Sequence, residues 1–139
     1  MSGSSVRFPY VAKDETLGRS GRYPYMPITL SLGPHSTASI ALMDSGASLN
    51  VLPYGLGIAL GATWDRQTTA LQLTGNLALS EARVLLLWAT VAWFPPIRLA
   101  FAWTRAESVP VILGQVNFFM EYDVCFFGSR SEFEVSLRS

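Results

Sequence analysis

One cysteine, one histidine and one lysine are all that this chain of 139 residues holds of those three types, and only 14% of it is charged. Each scarcity removes a class of chemistry. A lone Cys125 forms no internal disulfide and no thiolate metal cluster, so nothing calls for an oxidising compartment. With His35 as the only histidine, a two-histidine metal site is excluded. A serine-type triad would depend on a residue in a turn, where a solvated histidine is the plainer reading. Ten basic side chains balance ten acidic ones, and a net charge of +0 with a pI near 6.6 leaves no basic footprint for nucleic acid or an anionic membrane surface. No glycine-rich loop ends in Gly-Lys-Ser or Gly-Lys-Thr, and no Gly-x-Gly-x-x-Gly opens a helix after a strand, so nucleotide chemistry has no support. Neither a cofactor nor a metal is expected.

Long hydrophobic runs are missing too. The best candidate, Val84 to Phe94, is stopped by Pro95-Pro96 and Arg98, whereas a spanning helix needs about 18 apolar residues or more. The first residues, Met1 to Pro9, have no apolar core of the secretory type, and a cytoplasmic location is the expectation. What the chain does have is apolar character: 50% hydrophobic residues, 12% aromatic ones and a mean hydropathy of +0.30. One domain of this size can bury a real core, and the surplus of apolar surface points to a self-association face or an apolar groove. An oligomer is expected.

Residues 1–24 carry four basic and two acidic side chains without a clear period and read as a mobile N-terminal arm, leaving residues 25–139 as the domain. From Met26, Ile28, Leu30 and Leu32 alternate with polar neighbours, Gly33-Pro34-His35-Ser36 supplies a turn, and Ala38, Ile40 and Leu42 continue the alternation. This hairpin runs into Asp44-Ser45-Gly46. A short strand over Leu49 to Leu52 follows, then a weak helix over Pro53 to Leu60. Strands are expected over Gln67 to Thr74 and Leu77 to Val91 around Gly75-Asn76, with the Val84 to Trp88 run buried on both faces. Leu99, Phe101 and Trp103 alternate, Val109 to Leu113 is a short apolar run, and Gln115 to Met120 supplies a helical turn or two. Tyr122 to Phe127 and Glu132 to Leu137 form a last hairpin around Gly128-Ser129-Arg130. Many short strands with one or two short helices define an all-β barrel or sandwich of roughly 100 to 120 ordered residues.

Elimination leaves few groups for chemistry. Cys125 lies among Val124, Phe126 and Phe127, where a thiol behaves as a small hydrophobe. Glu121 and Asp123 flank Tyr122 and point to one solvated face. Trp64, Trp88, Trp93 and Trp103 read mainly as core. Asp44 remains: it closes the apolar strand Ile40-Ala41-Leu42-Met43, where a carboxylate is costly unless its oxygens accept hydrogen bonds, and Ser45, Gly46 and their amides can supply them. The tripeptide alone is also ordinary turn chemistry.

Its surroundings say more. Ala41-Leu42-Met43-Asp44-Ser45-Gly46-Ala47-Ser48-Leu49-Asn50-Val51-Leu52 resembles the active-site segment of retroviral-type aspartic proteases, the retropepsin family, in which apolar residues precede Asp-Thr/Ser-Gly-Ala. Val111-Ile112-Leu113-Gly114-Gln115 resembles that family's second signature, an apolar run and a glycine before the C-terminal helix. Order and separation fit, and the resemblance covers about residues 26 to 137, looking closest to the bacterial single-domain members.

The resemblance implies a closed retropepsin-like barrel or sandwich that is active as a twofold homodimer. One carboxylate cannot serve as both acid and base, so two copies of Asp44 must meet across the axis, share a proton and titrate as a pair. It further implies that Ser45 ties the two loops together across the axis. Gly46 and Ala47 would complete the active-site loop, with Gly46 letting substrate backbone come close, while Ile112, Leu113 and Gly114 would support it from beneath. The family's glycine-tipped flap would correspond to Thr74, Gly75 and Asn76, where a single glycine also suits a plain turn. Gln115 stands where viral members carry an arginine that braces the dimer. Partners would be a second copy of the chain and peptide or protein substrates, bound extended and cut between apolar residues. The alternatives are an inactive peptide- or protein-binding module of the same fold, a protease restricted to one partner or to its own arm, and an unrelated barrel in which Asp44 only makes a turn.

Overall fold

A computed structural model describes residues 4–12, 21–73 and 81–138. The strands are β1 (Ser5–Pro9), β2 (Val11–Ala12), β3 (Arg22–Tyr23), β4 (Tyr25–Leu32), β5 (His35–Met43) and β6 (Asn50–Leu52), followed by helix α1 (Tyr54–Ala59). After it come β7 (Ala70–Leu71), β8 (Ala82–Thr90), β9 (Ile97–Thr104) and β10 (Val111–Leu113). Helix α2 (Phe118–Glu121) leads into β11 (Tyr122–Phe127) and β12 (Glu132–Leu137).

Strands β4-β5-β10-β6-β9-β8 lie side by side, and pairing of β4 with β8 closes them into a barrel of six, with β7 added at the edge of β8. Closure removes the open edges that a sheet this apolar would otherwise expose. The first hairpin forms as the alternation predicts: Leu32 pairs with His35, and Gly33 at φ +56° supplies the left-handed residue that the two-residue turn demands. Met26, Ile28 and Leu30 point inward, joined by Leu85, Leu87, Leu99, Phe101, Trp103 and Leu113. Each such side chain, fully buried, contributes about 1.5–3 kcal/mol.

Helix α1 covers one end of the barrel. Trp103 is buried there, stacks on Tyr54 at 5.6 Å between ring centroids, and donates its indole N–H to the Tyr54 carbonyl at 3.1 Å. Gly57 faces that indole, and any Cβ at this position would collide with it. The glycines that make α1 a poor isolated helix are thus what lets it sit on the barrel.

Several expectations change. Ser5–Pro9, placed by the sequence in a mobile arm, form β1 and pair with β12 from Ser5↔Ser136 to Pro9↔Glu132. Phe8 stacks on Phe133 at 5.3 Å, so apolar burial outweighs the segment's polar composition. The β8 run is not buried on both faces: Leu85 and Leu87 are inside while Leu86 and Trp88 are 45% and 46% exposed, because β8 belongs to a barrel with one solvated side. Trp93 is likewise exposed, so only Trp64 and Trp103 of the four tryptophans are core. Cys125 is exposed, on the same side of β11 as the exposed Asp123. Among the described residues, no helix is long and apolar enough to cross a membrane.

Candidate active site

Asp44 follows β5 directly, and two pairings fix where that strand ends. Strand β10 runs parallel to β5 with Leu113 opposite Met43, and the Asp44 amide donates to the Leu113 carbonyl at 3.0 Å. The ladder therefore extends one residue past β5 and delivers Asp44 at the barrel's rim, partly buried. Its carboxylate Oδ1 accepts the Gly46 amide at 3.0 Å, and the Ala47 amide donates to the Asp44 carbonyl at 3.0 Å. This compact turn gives one carboxyl oxygen a backbone donor and so orients the group at the rim.

The loop carrying Asp44 is stitched to the segment after β10. The Gln115 amide donates to the Ala47 carbonyl at 2.9 Å, the Val116 amide to Ser48 at 2.9 Å, and the Asn50 amide to Val116 at 3.1 Å. Gly114 lies in the crossing: a Cβ there would stand 2.6 Å from the carbonyl oxygens of both Ala47 and Leu49. Gly114 is therefore closely packed, and Ile112 and Leu113 lie on β10, the strand beside the one that leads into the loop. The Gln115 side chain donates to the Ser45 carbonyl at 2.8 Å and so holds the loop from within its own chain.

Asn50 and Asn117 were not singled out by the sequence. Asn50 is fully buried; its Oδ1 accepts the Gly114 amide at 2.8 Å, and its Nδ2 donates to the Ala100 carbonyl at 3.0 Å and to Asn117 Oδ1 at 3.3 Å. Asn117 Oδ1 also accepts the Ala100 amide at 3.0 Å, and its Nδ2 donates to the Arg98 carbonyl at 3.1 Å. Two amide side chains thereby tie β6, β9 and the segment after β10 together under the loop. A polar Asn50 inside the apolar run Leu49 to Leu52 is the one signal that could have exposed this network.

A cleft of about 420 Å³ opens beside Asp44, lined by Leu49, Val51, Leu73, Val109, Pro110 and Ile112, by Gly46 and Ala47, and by the polar residues Ser48 and Gln72. One carboxylate in a largely apolar groove can hold and accept protons and hydrogen bonds, but it offers a single titratable group. Thr74, Gly75 and Asn76 lie outside the described residues; Leu73, just before them, lines the cleft. Ser45 is exposed at the tip of the loop. His35 sits exposed at the start of β5, at the first hairpin turn.

A six-stranded closed barrel, an Asp-Ser-Gly loop seated on a parallel apolar strand, and a terminal helix and hairpin define the retropepsin-like fold. Among solved structures the chain is similar to a retropepsin-like aspartic protease from Rickettsia conorii, with a TM-score of 0.63 and 12% identity over 94% of this chain and 98% of that one. It is also similar to EIAV protease complexed with the inhibitor HBY-793, with a TM-score of 0.49 and 18% identity over 67% of this chain and 82% of that one. No protein-family model matches the chain, and no curated protein is similar to it in sequence. The chain has the retropepsin-like fold.

Proposed function

We propose that the protein is an aspartic endopeptidase, active as a homodimer in which Asp44 of each protomer supplies half of a catalytic dyad. The observation that carries this reading is the position of Asp44: it stands on a braced loop at the edge of an apolar cleft, in a retropepsin-like fold. Two carboxyl groups in contact share one proton, so one is a base while the other is an acid. The ionised carboxylate takes a proton from a water, whose oxygen attacks the peptide carbonyl carbon. Its protonated partner hydrogen-bonds the carbonyl oxygen as negative charge develops there. The proton then passes to the leaving amide nitrogen as the C–N bond breaks, and neither a metal nor a covalent intermediate enters the cycle.

The surrounding residues fit supporting roles. Gly46 donates to Asp44 and keeps the floor open to substrate backbone, and Ala47 completes the loop. Gly114 and Leu113 fix the loop's height. In this reading Ser45 binds its counterpart across the twofold axis, and Thr74, Gly75 and Asn76 cover bound substrate. Apolar walls favour extended peptides cut between apolar residues, consistent with limited processing of protein substrates.

Cleavage of a mixed peptide library between about pH 4 and 7, with wild type and Asp44→Asn compared at high protein concentration, tests the proposal. Cuts made by the wild type and absent with the variant are expected. Equal cutting by both proteins, or silence from a folded and dimeric wild type, would overturn it.

A further inference from the structure

One outer face of the barrel is almost without charge. Residues 24–43, which contain β4 and β5, hold no Asp, Glu, Lys or Arg, and residues 84–104, which contain most of β8 and all of β9, hold one, Arg98. The whole chain is 14% charged, so two hairpins of this length would ordinarily carry several charges of both signs. Every acidic side chain lies elsewhere.

Register gathers the outward residues of these strands into one surface. Met26, Ile28 and Leu30 of β4 face the core, so Pro27, Thr29 and Ser31 face out. Pro27 stands beside Ile40, Thr29 beside Ala38 and Thr90, Ser31 beside Trp88, and Trp88 beside Arg98. A hollow of about 430 Å³ lies among the outward residues of β4, β5 and the end of β8; its lining is uncharged and shares no residue with the cleft beside Asp44.

Large apolar side chains stand out from this surface. Ile40, Leu86 and Trp88 are 53%, 45% and 46% exposed, and Trp93, at 67%, is the most exposed large hydrophobic side chain among the described residues. The turn that carries Trp93 is tightly held. The Phe94 amide donates to the Val91 carbonyl at 3.0 Å, Ala92 takes a left-handed φ of +48°, and Pro95-Pro96 follow. That φ is unfavourable for a residue with a Cβ, and here it accompanies exposure of an indole rather than its burial.

What such a face can meet is limited. β4, β5, β8 and β9 are each paired on both sides, so none offers an edge to which an extended peptide could add as a strand. Contact must come through side chains. Indoles favour the headgroup layer of a bilayer, a guanidinium there meets the lipid phosphates, and a carboxylate would be both desolvated and repelled. Two exposed indoles, aliphatic neighbours, one cation and no acid match that layer in apolarity and in charge. Among the described residues Arg98 makes no ion pair, and its guanidinium lies 5.4 Å from the centroid of the Trp88 ring, which brings cation and indole to the layer together.

We propose that this face docks the protein on a lipid bilayer, with Trp88, Trp93, Leu86 and Ile40 entering the headgroup layer and Arg98 against the phosphates. The attachment is peripheral and does not depend on Asp44. A net charge of +0 supplies no long-range attraction to anionic lipid, so the contact itself carries the binding. Affinities for neutral and mixed anionic bilayers should therefore agree within about threefold and change little with salt.

Co-sedimentation of the full chain with vesicles of phosphatidylcholine, and of phosphatidylcholine with about one quarter phosphatidylglycerol, tests the docking. Trp64 and Trp103 are buried, so acrylamide quenching reports on Trp88 and Trp93, and vesicles should protect them. Trp88→Thr combined with Trp93→Ser should lower the partition coefficient by about tenfold or more, and Arg98→Glu should weaken binding as well. Ile58→Ser removes an exposed apolar side chain from α1 and should bind like wild type. A wild type left in the supernatant with both vesicles overturns the proposal. So does binding that leaves the indoles open to acrylamide, that needs the anionic lipid, that survives the double substitution, or that Ile58→Ser reduces equally. Should the double variant unfold, acrylamide protection of the wild type decides alone.

Discussion

The amide of Gly114 donates to the side-chain oxygen of Asn50 across 2.8 Å, and both residues are buried. The bond joins the strand that precedes α1 to the turn that follows β10. Because the Asp44 amide is bonded to the carbonyl of Leu113, the residue just before Gly114, this one contact fixes the seat on which the carboxylate stands. Positioning of the candidate catalytic group is therefore a property of the core, not of the exposed loop.

Replacing Asn50 by Ala is expected to destabilise the protein by about 2–4 kcal/mol, measured as a lower urea midpoint at unchanged slope. The substitution strands the buried Gly114 amide, the Ala100 carbonyl and part of Asn117, and each orphaned group costs about 1–3 kcal/mol before relaxation. Asn50→Asp should be worse. A carboxylate still accepts from Gly114 but turns its second oxygen on the Ala100 carbonyl and Asn117 Oδ1.

Gly114→Ala attacks the same junction by volume. Its Cβ would meet two backbone carbonyl oxygens at 2.6 Å, and neither belongs to a flexible side chain that could swing aside. The loop must move, at a cost of about 1–3 kcal/mol. A protein that folds, with peptide cleavage reduced at least about a hundredfold, is the expected result, since catalysis is sensitive to misplacement of about 1 Å. Wild-type kcat/KM in this variant would show that the height of the loop does not matter.

Gln115→Ala separates tethering from stability. The amide side chain is exposed and makes one neutral bond to Ser45, so its loss should change stability by less than about 1 kcal/mol. The tip of the loop should nevertheless loosen. We expect kcat to fall with KM little changed, and Gln115→Glu, which cannot donate, to behave like the alanine variant.

Most of the barrel could be read from residues because strands with one wet face write their burial into alternation. The first hairpin, the last hairpin and Leu99-Phe101-Trp103 were all visible in this way. The β8 run was misread because Leu86 and Trp88 are apolar on the solvated side, where composition carries no sign of exposure. β1 was missed because its partner β12 lies more than a hundred residues away, and no local pattern encodes so distant a pairing. At the site, Asp44 and Gly114 stood out by their neighbours. Asn50 and Asn117 did not, since their importance arises from a meeting of β6, β9 and the turn after β10 that exists only in the folded chain.

Tyr122 supplies a pH-dependent prediction away from the site. Its ring is buried between Phe118 at 4.9 Å and Phe94 at 5.6 Å, and its hydroxyl has no hydrogen-bond partner among the described residues. Burial, helped by the negative charge of Glu121, pushes its pKa up from 10.0 to about 12. The folded state thus holds the phenolic proton more tightly than the unfolded chain does. Stability from this residue is fully present below about pH 10 and is lost as the pH climbs from there through about 12, because the unfolded state ionises first. Tyr122→Phe keeps the ring contacts and removes an unsatisfied hydroxyl, so at pH 7 it should be neutral or stabilising by up to about 1 kcal/mol. Urea unfolding at pH 7, 10 and 11 should show the two proteins diverging in favour of the phenylalanine variant as pH rises. A wild-type curve that falls no faster than the variant's would mean that the phenol is not held protonated by its surroundings.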